Sequence, residues 1–192
     1  MIREFAFGLS NRHHFFDTRE SVKWENVAKD TFMSLYGYDD NVIKYYEEKK
    51  TLSGYDGLIY MPKEFLLDVD GPDTKDAQEK TIKLLKLLKD LKVPYNIYFS
   101  GRGFHIGIPD SAFKWKPHVN LHIKVKKVLD NFGIYKYADV SVTDKTRIIR
   151  LNNTLNSKSK LWKIHISEYE LENTYYLEIQ DLAKKPRISK IP

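Results

Sequence analysis

The sequence predicts an α+β fold: a ferredoxin/RRM-like β-α-β-β-α-β sheet with an N-terminal α/β subdomain packed against it. Three observations carry this. Short apolar runs bounded by Gly, Pro and Asp recur between residues 65 and 143. Two longer segments with helical periodicity lie between them. Their order is strand, helix, strand, strand, helix, strand, the split βαβ arrangement, for which the strand order is 4-1-3-2 with antiparallel neighbours.

The elements follow in turn. Phe65–Asp70 reads as the first strand, closed by Gly71-Pro72. Asp73 or Thr74 caps a helix to about Lys92, with Ala77, Leu84, Leu85, Leu88 and Leu91 on one face and lysines opposite. Pro94 stops it, and Tyr95–Phe99 makes the second strand. The turn Ser100–Gly103 leads into the third, Phe104–Ile108. A second helix begins near Pro117, a favoured first-turn residue, and runs to about Phe132. Asp139–Thr143 is the fourth strand, with Val140 and Val142 facing away from Asp139. Thr146–Leu151 and Leu161–Ser167 read as a further hairpin. Before the sheet, helices are expected at Ser21–Tyr36 and Asp40–Lys49. Residues 1–180 thus form one catalytic domain, divided into an N-terminal subdomain (1–62) and a core (63–180). Residues 181–192 read as a basic tail or linker, which admits a further C-terminal domain.

At 192 residues the chain can bury a sizeable core. It lacks an apolar stretch of about 18 residues, so no membrane span is expected. The start has no basic-then-apolar leader. Zero cysteines exclude disulfides and thiolate zinc sites and suit a cytoplasmic location. The formal charge of +6 favours an anionic partner, nucleic acid first, and the 13 tyrosines and 10 phenylalanines add stacking surface.

The chemistry concentrates at one edge of the expected sheet. Asp68 and Asp70, two residues apart on a strand, share a face, because strand side chains alternate. They are expected as exposed edge carboxylates. Ser100-Gly101-Arg102-Gly103-Phe104-His105 offers hydroxyl, guanidinium and imidazole donors, suited to a triphosphate, on a turn whose glycines permit close approach. In the expected topology His105 and Asp139 begin strands beside the place where the first strand ends. Asp73 and Asp144 read as cap or turn residues, and His13-His14 lacks metal-ligand spacing.

Three segments together resemble the motifs of the archaeo-eukaryotic primase superfamily: Phe65–Gly71, Tyr98–Ile106 and Ala138–Leu151. The N-terminal Arg3–Phe7 and Asn11–Phe15 resemble its catalytic small subunit. The match spans most of the chain in the family's order. It implies a minimal primase-polymerase, similar to small phage, plasmid or CRISPR-associated versions, that makes and extends primers on single-stranded DNA from NTPs or dNTPs. By that resemblance Asp68, Asp70 and Asp139 are catalytic and hold two Mg²⁺ or Mn²⁺ ions, without zinc. Ser100, Arg102, His105, Arg150, Lys158 and Arg12 bind the nucleotide, while Arg147 faces phosphate or template. The implied setting is a prokaryotic cytoplasm, or a host cytoplasm for a phage or plasmid protein, with a helicase or other replication partner. The chain departs from the family at Asn156, where histidine is common, and in having no cysteine-based zinc module.

Two alternatives stay open. One is a non-catalytic single-strand-binding module on the same sheet, although such modules display aromatics where this chain displays aspartates. The other is a metal-dependent cyclase or nuclease using the same carboxylates.

Overall fold

The computed structural model describes residues 1–17 and 29–187. Its elements in chain order are β1 (Ile2–Phe7), β2 (His14–Asp17), β3 (Thr31–Ser34), β4 (Gly37–Tyr38), α1 (Asn41–Lys49), β5 (Ile59–Tyr60), β6 (Glu64–Val69), α2 (Thr74–Asp90), β7 (Asn96–Phe99), β8 (Phe104–Pro109), α3 (Leu121–Asn131), β9 (Ile148–Arg150), β10 (Leu155–Asn156), β11 (Leu161–Trp162), β12 (Ile164–Ile166), α4 (Glu168–Asn173) and α5 (Tyr176–Leu182). The architecture is mixed α+β. One six-stranded antiparallel sheet runs β5-β4-β1-β3-β9, with β2 on the other edge of β1, and a four-stranded antiparallel sheet runs β12-β7-β8-β6.

The second sheet carries the site, and its alternation sets which residues face where. On its back face Phe65, Leu67 and Val69 of β6, Ile97 and Phe99 of β7, Phe104, Ile106 and Ile108 of β8, and Ile164 and Ile166 of β12 are buried in one core. Helix α2 covers this core with Ala77, Leu84, Leu85 and Leu88, and α3 adds Leu121, Val125 and Leu129. Spacing of three and four residues puts those α2 side chains on one stripe, so the helix forms where it can bury them. Asp73 caps it, its side chain accepting the Asp76 N–H at 2.8 Å. The opposite, polar face presents Asp68 and His105, which are cross-strand partners on β6 and β8.

Several expectations need correction. Asp139–Thr143 is not a strand: Val140–Thr143 is a 3₁₀ turn. Asp139 explains this, because its carboxylate accepts the Ser141 N–H at 2.8 Å and the Ser141 hydroxyl at 2.5 Å, local bonds that compete with a ladder. Val140 is left 49% exposed while Val142 is buried. The 4-1-3-2 order therefore reduces to β6-β8-β7, with β12 added at the far edge. Beside β6 the fourth strand's place is marked by one backbone bond, Asp139 N–H to Asp68 O at 2.8 Å.

The helix expected at Ser21–Tyr36 meets a strand instead, since Thr31–Ser34 pairs with both β1 and β9; residues 21–28 lie outside the described residues. The helix expected from Pro117 starts at Leu121, because Ile59 and His118 exchange backbone bonds and hold that stretch extended. Thr146–Leu151 and Leu161–Ser167 do not pair with each other. β9 joins β3 in the first sheet, β12 joins β7 in the second, and the small hairpin is Leu155–Asn156 with Leu161–Trp162. The first sheet is thus not confined to residues 1–62. Residues from 181 begin inside α5 rather than as a tail, and buried Ala183 accepts the Trp162 N–H at 2.7 Å. Helix α1 and strands β6, β7 and β8 match expectation to within a residue.

Replacing the buried Leu84 by Ala should cost about 2–5 kcal/mol in urea unfolding, from lost burial and a residual cavity. The exposed neighbour Lys83→Ala should change stability by less than about 0.5 kcal/mol. Equal effects would mean α2 does not present this face.

Candidate active site

The site is assembled on the polar face of the second sheet where the first sheet overhangs it. A cavity of about 230 Å³ is lined by Asp68, Asp70, Ser100, Arg102, His105 and Arg150, together with Phe32, Arg147, Ile148, Ile149 and Asn156. The larger cavity of about 680 Å³, lined among others by Arg3, Glu64, Leu66 and Lys163, contains none of the three aspartates. Chemistry rather than size identifies the smaller one.

Asp68 sits at the end of β6 and is buried, only 7% exposed, which corrects the expectation of an exposed edge carboxylate. Its Oδ2 receives Arg147 Nη2 at 3.1 Å, and its Oδ1 stands 3.4 Å from His105 Nε2. Burial alone would raise its pKa. The His105 contact and the Arg147 charge outweigh burial and hold the carboxyl below the ordinary range. Asp70 is raised instead, by burial and then by the neighbouring Asp68 charge, with Asp139 adding to it. Asp139 approaches from the 3₁₀ turn, its Oδ2 at 3.6 Å from the same Arg147 Nη2. Asp68 and Asp139 therefore share one guanidinium, and Asp70 stands close enough to feel their charges.

The glycine turn lies against Asp70. Ser100 N–H donates to Gly103 O at 2.9 Å, and Gly101 takes φ +99°, a conformation L side chains rarely adopt. A Cβ on Gly103 would lie 2.5 Å from both Val69 O and Asp70 Oδ1, so only glycine lets the turn press against the aspartate. The Arg102 carbonyl accepts the Thr74 hydroxyl at 3.0 Å, which ties the turn to the start of α2. His105 is buried, and burial followed by the Lys163 charge pushes it down to about 4, so the ring is neutral. Its Nδ1 has no hydrogen-bond partner.

Other expected residues are engaged differently. Arg150 points into the cavity with its guanidinium 4.6 Å over the Phe32 ring and Nη1 2.8 Å from Asp30 Oδ1. Arg12 is outside this cavity. It forks onto buried Glu4 at 2.9 and 3.1 Å and reaches the Thr146 carbonyl at 3.2 Å. It does line an adjoining cavity shared with Phe32 and Arg147. Lys158 is exposed and outside the cavity, on the turn of the small hairpin. Asp144 is a turn residue, accepting Thr146 N–H at 2.8 Å, and Asp73 is the α2 cap. His13 stacks on Tyr46, 4.5 Å between centroids.

The residues that sequence reasoning missed are Arg147 as the link between Asp68 and Asp139, Asp30 and Phe32 as the seat of Arg150, and Lys163. The β-branched, aromatic character of Thr31-Phe32 was a usable strand signal. Nothing in the local sequence announces the Asp30–Arg150 pair, which spans 120 residues. Lys163 is fully buried, and its Nζ donates to the Arg150 carbonyl at 2.8 Å.

A scan against protein-family models found no match, and searches of curated proteins and of solved structures found none either. Among the described residues no helix is long and apolar enough to cross a membrane.

Burial pushes Lys163 down to about 7. A lysine whose folded pKa lies below its unfolded value binds more protons when unfolded, so its contribution improves as pH rises through that interval. Between pH 7 and 9 the stability of the protein relative to a Lys163→Met variant should therefore increase. A pH-independent difference between the two in parallel thermal melts would show that the amine stays charged.

Proposed function

We propose that this chain is a template-dependent nucleotidyltransferase of the primase-polymerase type, making and extending primers on single-stranded DNA from NTPs or dNTPs. One observation carries the reading: Asp68 and Asp70 line one cavity with Ser100, Arg102, His105 and Arg150, and Asp139 is joined to Asp68 through Arg147. Acidic groups and phosphate-binding donors around one cavity are what phosphoryl transfer requires. In this reading the second sheet is a ferredoxin/RRM-like sheet in which the 3₁₀ turn at Val140–Thr143 stands in for the fourth strand.

The carboxylates suit a divalent cation, because the place between Asp68 and Asp139 already holds a positive group, the Arg147 guanidinium. As they stand, no three acidic, His or Cys side chains among the described residues are arranged to hold an ion, which is the arrangement with Arg147 in place. Bound Mg²⁺ or Mn²⁺ would offset the charge developing on the triphosphate and both reacting oxygens.

The chain's own groups bind and orient. Ser100, Arg102 and Arg150 would present a hydroxyl and two guanidinium cations to the phosphates. Neutral His105 offers a ring nitrogen without adding a charge that Asp68 would neutralise. Gly101 and Gly103 keep the turn close enough for backbone approach. The +6 net charge favours a nucleic-acid template, and a cytoplasmic setting with a replication partner fits this activity.

Incubation with single-stranded DNA, no primer, labelled NTPs or dNTPs and Mg²⁺ or Mn²⁺ should give products whose lengths follow the template. Asp70→Asn should lower synthesis by at least about 100-fold without lowering the melting temperature, since loss of one preorganised charged group costs about 10²–10³ in rate. Asp70 is the cleaner choice than Asp68, whose removal would leave Arg147 without its nearest carboxylate. DNA binding without product would favour the single-strand-binding module. A product of fixed size independent of template would favour a cyclase.

A further inference from the structure

We propose that Arg147 is the resident cation of the aspartate cluster and competes with divalent metal for it, a role that rests on the metal-dependent function proposed above. A single atom, Nη2, stands 3.1 Å from Asp68 Oδ2 and 3.6 Å from Asp139 Oδ2, between two carboxylates contributed by separate segments. The remaining oxygens of both residues are also occupied. Asp68 Oδ1 faces His105 Nε2 at 3.4 Å, and Asp139 Oδ1 accepts the Ser141 N–H at 2.8 Å. The Asp70 carboxylate, by contrast, accepts no hydrogen bond and forms no ion pair among the described residues. A cation can therefore reach Asp70 directly, but it can bridge to Asp68 and Asp139 only if the guanidinium withdraws.

Arg147 is built to withdraw. Its backbone is fixed at the entry to β9, with its N–H on Asp144 O at 3.0 Å and its carbonyl accepting Leu35 N–H at 2.7 Å. Only the side chain needs to move, and it is 34% exposed. Its Nε is buried with no hydrogen-bond partner, so the present position leaves one donor unmet. The cavity it borders also holds Ser100, Arg102, His105 and Arg150, where a guanidinium could fork onto a phosphate. Metal and triphosphate would then enter together, the phosphate drawing off the arginine as the ion takes its place.

The test is Mn²⁺ binding by nucleotide-free protein, read by electron paramagnetic resonance as loss of the free-ion signal. Arg147→Gln should bind Mn²⁺ on the order of tenfold more tightly than the parent, the worth of one charge-assisted hydrogen bond. Arg147→Lys, which keeps the charge on a shorter contact set, should fall between, and Asp70→Asn should abolish the site in either background. Thermal melts establish that each variant is folded. Asp70-dependent binding in the parent that is unchanged or weakened in Arg147→Gln would overturn the competition and leave the metal reading standing. Absence of Asp70-dependent binding in both proteins would overturn the metal reading, and the competition with it.

Discussion

Everything at this site follows from the antiparallel register of β6 with β8. That pairing sets Asp68 opposite His105 and leaves Phe65, Leu67, Val69, Phe104, Ile106 and Ile108 on the other face. Because alternation has a period of two, a slip of one residue would send the aspartate and histidine into the core and the aliphatics into the cleft. Burial of the apolar face under α2 and α3 makes that slip costly. The hydrophobic core therefore fixes the polar chemistry, and its member Ile149 lines the cavity.

The second constraint is electrostatic. Asp68 is charged in a buried position, which is tolerable only with partners close by. His105 is neutral and supplies contact without charge, so the compensating charge comes from Arg147, reaching across from the end of a loop that also delivers Asp139. One guanidinium thus joins the second sheet, the 3₁₀ turn and the first sheet. Arg150, three residues further on at the end of β9, is held in a similar way by Asp30 and Phe32. The cleft thus sets Asp68 and Asp70 among the cations Arg102, Arg147 and Arg150.

Much of this could be read from residues alone where the signal was periodic. The apolar stripe of α2, the Asp73 cap and the alternation of β8 lie in local spacing, and the structure agrees with them. The i, i+2 pair Asp68 and Asp70 and the Ser100–Gly103 turn do come together. Where reading failed, a local bond or a distant partner decided. Asp139 looked like the start of a strand because Val140 and Val142 alternate, but Ser141 gave its side chain closer partners than a neighbouring strand could. Thr31–Ser34 fell within an expected helix, yet it is claimed by β1 and β9, and the latter comes more than a hundred residues later. Arg12, expected at the nucleotide, is committed to Glu4. Side-chain pairing between remote segments leaves no periodic trace, so the place of Arg147 between Asp68 and Asp139 and the burial of Lys163 could not have been assigned.

The insertion of β9 beside β3 has a consequence for how the molecule comes into being. Residues 32–34 cannot complete their ladder until residues 148–150 have been made. On a ribosome, more than a hundred residues emerge before the cleft can close, and the loop-closure entropy is met late. The second sheet can begin to collapse on its own helices well before then. Competence is thus acquired only once β9 has been made, so a nascent chain carries Asp68 and Asp70 long before it has a cavity in which to use them.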